Sequence, residues 1–269
     1  VVWMKDGRVE NDNAKEVAEL LLDLGALDTF DTDAPFILLT EDKNDTMLTK
    51  CLNTLREENK IPAISVLRYN GVKNYDTLFS LVTGIQSLAQ GKHLIIHRDR
   101  DCMTDLELDK WHQQLERNRK MKARELGLPD ELFARTLPFI PRRSDTESYL
   151  WEFEHLQGTI NLSREGAEEL VCQTFNAHKK RLYNLFVEKR KAALFFWEKG
   201  GSPNTDDLWD SWKKDEDWQR IKGKEFFALM KKDHNIIKDN QNKIRSAASG
   251  ALRQEILDVF NSHFPEVMP

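Results

Sequence analysis

The chain has 269 residues, 40% of them apolar and 32% charged, and carries a formal net charge of −5. That mass suits one large domain or two small ones, no apolar run reaches the ~20 residues needed to span a bilayer, and the charge does not mark a nucleic-acid binder by itself. Three widely spaced cysteines, Cys51, Cys102 and Cys172, with no C-x-x-C pair, exclude a zinc ribbon and a disulfide framework and fit a reducing cytoplasm.

In chain order, Val1–Val9 reads as a terminal strand with a Gly turn, in the manner of a piece cut from something longer, and Ala14–Leu24 is apolar at helical spacing. A polar connection ending at Pro35 follows. Then a rhythm begins: "PFILL", "AISVL" and "HLIIH" are short apolar runs, followed in turn by helical patterns over Asp45–Glu58, Tyr75–Gln90 and about Asp105–Leu126. "RTLPFI" is a fourth run, and its internal Pro138 predicts an edge or irregular strand. Strands alternating with helices predict an α/β domain, an about four-stranded, mainly parallel sheet flanked by helices. In such sheets functional groups gather beyond the carboxyl ends of the strands.

Beyond residue 160 the pattern becomes helical. Ser163 is placed to cap a long helix reaching about Phe196, "GGSPN" (Gly200–Asn204) breaks it, and further helices are expected over Asp206–Trp218, Lys224–Lys232 and Ser249–Phe260. Trp197, Trp209, Trp212 and Trp218 cluster in this half. Aromatics at helical spacing usually pack a core; base stacking is the alternative.

What ends each strand is acidic. Glu41 follows the first run, with Asp45 one helical turn later; Asp99 and Asp101 follow the third; Glu147 follows the fourth, three residues after Ser144, in a capping-box arrangement. The whole acidic excess lies in residues 1–150, with 26 Asp+Glu against 21 Lys+Arg, whereas the remainder is balanced at 19 each. Carboxylates converging on one sheet edge repel unless something relieves them. Oxygen-only ligand sets suit the hard cations Mg²⁺ or Mn²⁺. Each acid alone reads more readily as a cap or a solvated loop residue than as a ligand, and "HRDRD" alone as a self-paired surface turn.

The set, Glu41 after the first strand and the D-x-D of Asp99 and Asp101 after the third, resembles the Toprim domain of topoisomerases, primases and certain nucleases. "EDKND", "RRSDTESYL" and "IKGKEFFALM" resemble elements of its overcoming-lysogenization-defect nuclease branch, which adds Asp45 and Glu147 as metal ligands and Lys224 as a catalytic or phosphate-contacting lysine. The glycine usual after the first Glu of the wider family is absent here. The resemblance implies a C-terminal portion of an ATPase-linked nuclease: residues 1–30 ending an upstream ATPase domain with a linker helix, 31–160 the Toprim metal-binding core, and 161–269 a helical C-terminal subdomain. ATP would act only through the domain outside this chain, since no Gly-rich phosphate loop occurs within it.

The function so implied is a divalent-metal-dependent endonuclease cutting DNA phosphodiester bonds, with a two-metal site of Glu41, Asp45, Asp99, Asp101 and Glu147. Glu41, Asp99, Asp101 and Lys224 carry the catalysis, Lys224 neutralising charge on the phosphate; a solvated lysine opening a helix is the equal alternative. Arg98, Arg100, Arg142 and Arg143 are the candidate DNA contacts, with Arg98 and Arg100 alternatively pairing with the aspartates. Arg117, Arg119, Lys120, Lys122 and Arg124, and Lys179, Lys180 and Arg181, are weaker candidates on charged helices. The resemblance also implies an assembly of at least a dimer, a cytoplasmic location without membrane contact, and a role with system partners in anti-phage defence. The rival class is a Toprim-like module that binds nucleic acid, senses or assembles without cutting.

Overall fold

The computed structural model describes residues 3–5, 8–10, 31, 33–42, 46–68, 90–125, 127, 129, 132–192, 203–214 and 220–269. The helix expected over Ala14–Leu24, nearly all of that over Tyr75–Gln90, and Asp45, Trp197 and Trp218 lie outside them. The chain divides into two compact units that interleave along the sequence: Val1–Lys43, Pro62–Arg98 and His112–Phe139 form one, and Asn44–Ile61, Asp99–Trp111 and Ile140–Pro269 the other.

The first unit holds two sheets. In place of one terminal strand, β1 (Trp3–Lys5) and β2 (Arg8–Glu10) pair antiparallel, with Trp3 opposite Glu10. The main sheet contains β3 (Phe36–Thr40), β4 (Ile64–Arg68), β5 (His93–His97) and β6 (Arg135–Phe139) in the order β4-β3-β5-β6, every pair parallel. The two inner strands, β3 and β5, are buried at all five positions. That explains why they read as unbroken apolar runs rather than alternating ones. Pro138 sits on β6, an edge of this sheet, where its missing N–H costs no ladder bond on the outer side.

The connections shape the sheet's ends. Lys92 Nζ donates to the Ala34 carbonyl at 2.7 Å and the His93 ring stacks on Phe36 at 4.8 Å, so the entry ends of β3 and β5 are tied together. The register sets Thr40 opposite His97 at the exit ends. From β3 the chain crosses to β4 on one side, then returns to lay β5 on the other. The strand order therefore reverses between β3 and β5, the position where open α/β sheets bind their ligands.

The second unit is helical. It contains α1 (Met47–Glu57), the start of α2 (Asp105–Glu125), a 3-10 helix (Thr146–Trp151), α3 (Phe153–Ile160), α4 (Arg164–Ala192), α5 (Thr205–Lys214), α6 (Gly223–Asp233), two short helices α7 (Asn235–Asp239) and α8 (Gln241–Ser246), and α9 (Gly250–His263). Ser163 caps α4 as expected, its Oγ accepting from Gly166 N at 3.0 Å. Ser249 caps α9 and also accepts, through its carbonyl, the Cys51 thiol of α1.

At the centre of this unit the 3-10 helix meets α6. Tyr149, Leu150, Trp151, Phe226 and Phe227 are all buried there, with the Trp151 and Phe226 rings 4.8 Å apart. The approach is so close that a Cβ on Gly223 would lie 2.1 Å from Ser148 N and 2.4 Å from Asp145 Oδ1. Only glycine fits the first position of α6, which accounts for the glycine of "GKE". A second centre packs Trp209 of α5 among Phe175, Tyr183 and Phe186 of α4, at 5.3–5.9 Å between ring centroids. Trp209 is thus a core residue, the first of the two readings its spacing allowed.

Candidate functional site

On the first unit, Thr40 and His97 close the exit edge of the sheet. Thr40 Oγ1 lies 2.8 Å from His97 Nδ1 and accepts the Asp42 backbone N–H at 3.1 Å. His97 is fully buried, and burial depresses its pKa to about 4 against the opposing pull of Glu41, so the ring is neutral at physiological pH. It lines the sheet end as a core histidine. Glu41, half-buried, leaves β3 at this edge, while Arg98 N donates to Phe139 O at 3.2 Å as the chain leaves β5.

On the second unit the chain continues as Asp99-Arg100-Asp101. Asp101 adopts a left-handed backbone, φ 50°, which aspartate tolerates better than most side chains. Its N–H donates to Ser144 O at 2.7 Å, binding this loop to the one after β6. Two lysines converge on its Oδ1: Lys189 of α4 at 3.0 Å and Lys222, just before α6, at 3.7 Å. Burial would lower the Lys222 pKa, but the charges of Asp101, Asp145 and Glu225 outweigh it and hold the ammonium above the ordinary lysine value.

Lys224 is exposed on the first turn of α6, and the lysine that faces Asp101 is Lys222, two residues earlier. The cap of the 3-10 helix is Asp145 rather than Ser144. Asp145 Oδ1 accepts Ser148 N at 2.8 Å and Ser148 Oγ at 2.7 Å, and both its oxygens accept Gly223 N at 3.0 Å. Burial, helped by the Glu147 charge, pushes the Asp145 pKa up to about 7 against the pull of the Ser148 and Gly223 bonds and the Lys222 charge. Glu147 is half-buried in the first turn beside that cap. A true capping box exists elsewhere: Thr104 N donates to Glu107 Oε2 at 2.8 Å and Glu107 N to Thr104 Oγ1 at 3.3 Å, opening α2.

The arginines divide. Arg100 is buried and folds back, its Nε donating to Met103 O at 3.2 Å and its guanidinium pairing with Asp105; that pairing holds the Asp105 carboxyl below its ordinary pKa. The ion pair thus runs forward to the start of α2. Arg143 is enclosed by the Tyr149 and Trp151 rings, 5.3 and 5.5 Å away, and bonds Glu152 at 3.4 Å, so it serves the fold. Arg142 remains exposed, 3.6 Å from Asp258, and Arg98 is half-buried. Arg117, Lys120, Arg124, Lys179, Lys180 and Arg181 are exposed, while the side chains of Arg119 and Lys122 lie outside the described residues.

Lys189, Arg190 and Glu107 also escaped the sequence reading. Lys189 sits in the basic run near the end of α4, indistinguishable there from a solvated lysine. Its neighbour Arg190 is fully buried, bonded to Glu107 at 2.6 Å and Cys102 O at 3.0 Å, and so clamps α4 to the start of α2 and the loop before it. The "TDLE" of the capping box was the available signal for Glu107.

The carboxylates are hard oxygen donors suited to Mg²⁺ or Mn²⁺, yet among the described residues no group of three or more His, Cys, Asp or Glu is placed to hold a metal ion. Asp101 instead faces two ammonium groups, and Asp45 lies outside the described residues. The described residues therefore do not by themselves compose a metal centre. No helix among them is long and apolar enough to cross a membrane. Compared with known proteins, the chain matches no family model, no curated protein and no solved structure.

Proposed function

We propose that this chain is a nuclease, hydrolysing phosphodiester bonds of DNA with the help of a divalent cation. The observation that carries this is the reversal of strand order between β3 and β5, with Thr40 opposite His97: the chain leaves the sheet at Glu41 from one strand and enters Asp99-Arg100-Asp101 from the other. Lys222 and Lys189 add ammonium groups beside Asp101, the kind of fixed positive charge that stabilises a phosphate gaining charge in the transition state. The upstream ATPase, the dimeric assembly and the defence role belong to the same proposal and rest on the sequence resemblance alone.

A second reading is favoured by one observation. The Asp101 carboxylate is already matched by two lysines, as in a module that binds or assembles without cutting. Incubation of supercoiled plasmid with the protein and Mg²⁺ or Mn²⁺, beside EDTA and an Asp99→Asn/Asp101→Asn variant checked for folding by circular dichroism, separates them. Metal-dependent nicking that the variant loses supports the nuclease. No nicking by the folded protein supports the binding module, and nicking that survives the substitution places the chemistry elsewhere.

A further inference from the structure

Residues 231–245 run against the charge of the rest of the chain: they hold five Lys and Arg and two Asp, whereas in the whole sequence acids outnumber these cations 45 to 40. The Asp233 carboxylate is taken up by His178 of α4 at 2.7 Å. Lys231 bonds a neutral group, Gln241 Oε1, at 3.2 Å, and among the described residues no carboxylate pairs with Lys231, Lys243 or Arg245.

A cationic run is ordinarily a solvated face, but here its parts are held together from several helices of the second unit. Phe227 of α6 is fully buried, with the Arg245 guanidinium 5.2 Å and the Lys231 ammonium 5.9 Å from its ring centre. Two like charges thus share one ring, on the order of a Debye length apart or less (~10 Å at 0.1 M salt). The backbone of α8 is fixed beneath them. Ile244 is buried and its carbonyl bonds the buried His155 of α3 at 2.9 Å, while Lys50 of α1 donates to the Arg245 carbonyl at 2.6 Å. Cations of α1, α6 and α8 therefore converge, and Lys243 stands exposed beside Ile244.

Like charges gathered in this way repel, and a polyanion laid across them relieves the repulsion. A membrane-surface helix needs an apolar face to sink into lipid. Phe226, Phe227, Met230 and Ile244 are all buried, and between residues 220 and 269 only Ile236 exposes a large apolar side chain. The surface offers charge without insertion, as contacts to a nucleic-acid backbone do. We propose that Lys231, Lys243 and Arg245, with Lys50 beside them, form a docking surface for the phosphate backbone of DNA, engaged without regard to sequence. The inference rests on the nuclease reading, whose substrate this surface holds.

The test is fluorescence anisotropy of a labelled DNA duplex titrated with the full chain over a range of salt, in EDTA so that metal-dependent cutting is suppressed. Lys231→Gln/Arg245→Gln removes both charges and keeps much of the aliphatic stems beside Phe227. It should weaken binding by roughly 10- to 100-fold at about 0.1 M salt and lower the steepness of the log–log salt dependence by about 1.8, at ~0.9 per phosphate contact. Lys231→Arg/Arg245→Lys keeps both charges and should bind as the unaltered chain does. Lys213→Gln/Lys214→Gln, on α5, is the charge-matched control and should change little. A folded Gln variant of Lys231 and Arg245 with unchanged affinity and salt slope would overturn the proposal, as would an equal loss in the α5 control. Two results in the unaltered chain would do so whatever the variants' folding: a salt slope shallower than about 2, too few contacts for this surface, or binding to phosphatidylserine vesicles in preference to the duplex. Binding as expected without nicking of any substrate would sink the nuclease reading and leave the surface standing; nicking by a chain whose binding ignores these cations would do the reverse.

Discussion

Replacing Gly223 by alanine is the sharpest perturbation the structure offers. Alanine usually strengthens a helix by roughly 1 kcal/mol relative to glycine. At Gly223 the added Cβ would meet Ser148 N at 2.1 Å, Asp145 Oδ1 at 2.4 Å and Glu147 C at 2.4 Å, and two of these atoms are backbone. Relief requires α6 to retreat from the 3-10 helix by about an ångström, an overpacking strain of about 1–3 kcal/mol. The retreat also pulls Gly223 N from the two Asp145 oxygens, 3.0 Å away. A hydrogen bond is worth about 0.5–3 kcal/mol, the upper half of that range when the acceptor is charged, so after the helix gain the net loss comes to about 0.5–5 kcal/mol. Urea unfolding followed by tryptophan fluorescence reads it, since Trp151 packs on Phe226 at the same junction. Gly250→Ala, at the start of α9 with nothing within 4 Å of the new methyl, is the control and should be neutral or slightly stabilising. If Gly223→Ala were as stable as the unaltered chain, the close approach described here would be wrong.

Glu107→Gln should destabilise by about 3–5 kcal/mol, because it leaves Arg190 charged and fully buried, whereas Glu107→Leu/Arg190→Met should recover much of that loss in the same unfolding assay. Lys222→Ala should reduce nicking by about 10²-fold, as removal of one electrostatic donor does, whereas Lys224→Ala, on an exposed side chain, should change it little; equal effects would refute the assignment. Burial, opposed by the bond to Ile244 O, lowers the pKa of His155 below its ordinary 6.5. The folded chain thus binds fewer protons at this site than the unfolded chain, so its contribution to stability is present above pH 6.5 and is lost as pH falls below it. His155→Gln should flatten that part of a stability–pH profile, and an unchanged slope would remove His155 as its cause.

Much of the architecture was readable because its signals are local. Buried inner strands announce themselves as unbroken apolar runs, Pro138 marks a strand that can forgo a donor, and Ser163 caps the helix it precedes. The expected limits of α2 and α6 came within a residue or two of the observed ones for the same reason. The N-terminal strand was misjudged, since two three-residue strands around a turn carry too few positions to show a period. The cap at Ser144 failed more instructively. Serine and aspartate cap equally well, and Asp145 holds the position because its carboxylate also meets Gly223, 78 residues away.

The sequence by itself determined the alternation of strands and helices and the acidic residues at strand ends, because each depends on neighbours within a few turns of chain. The tertiary structure alone decided which lysines face Asp101, why Gly223 can carry no side chain, and that Arg100, Arg143 and Arg190 turn inward. A long charged side chain looks the same in sequence whether it is solvated or buried, and its partner is chosen by packing between segments tens of residues apart, where burial strengthens the one pairing that satisfies both charges.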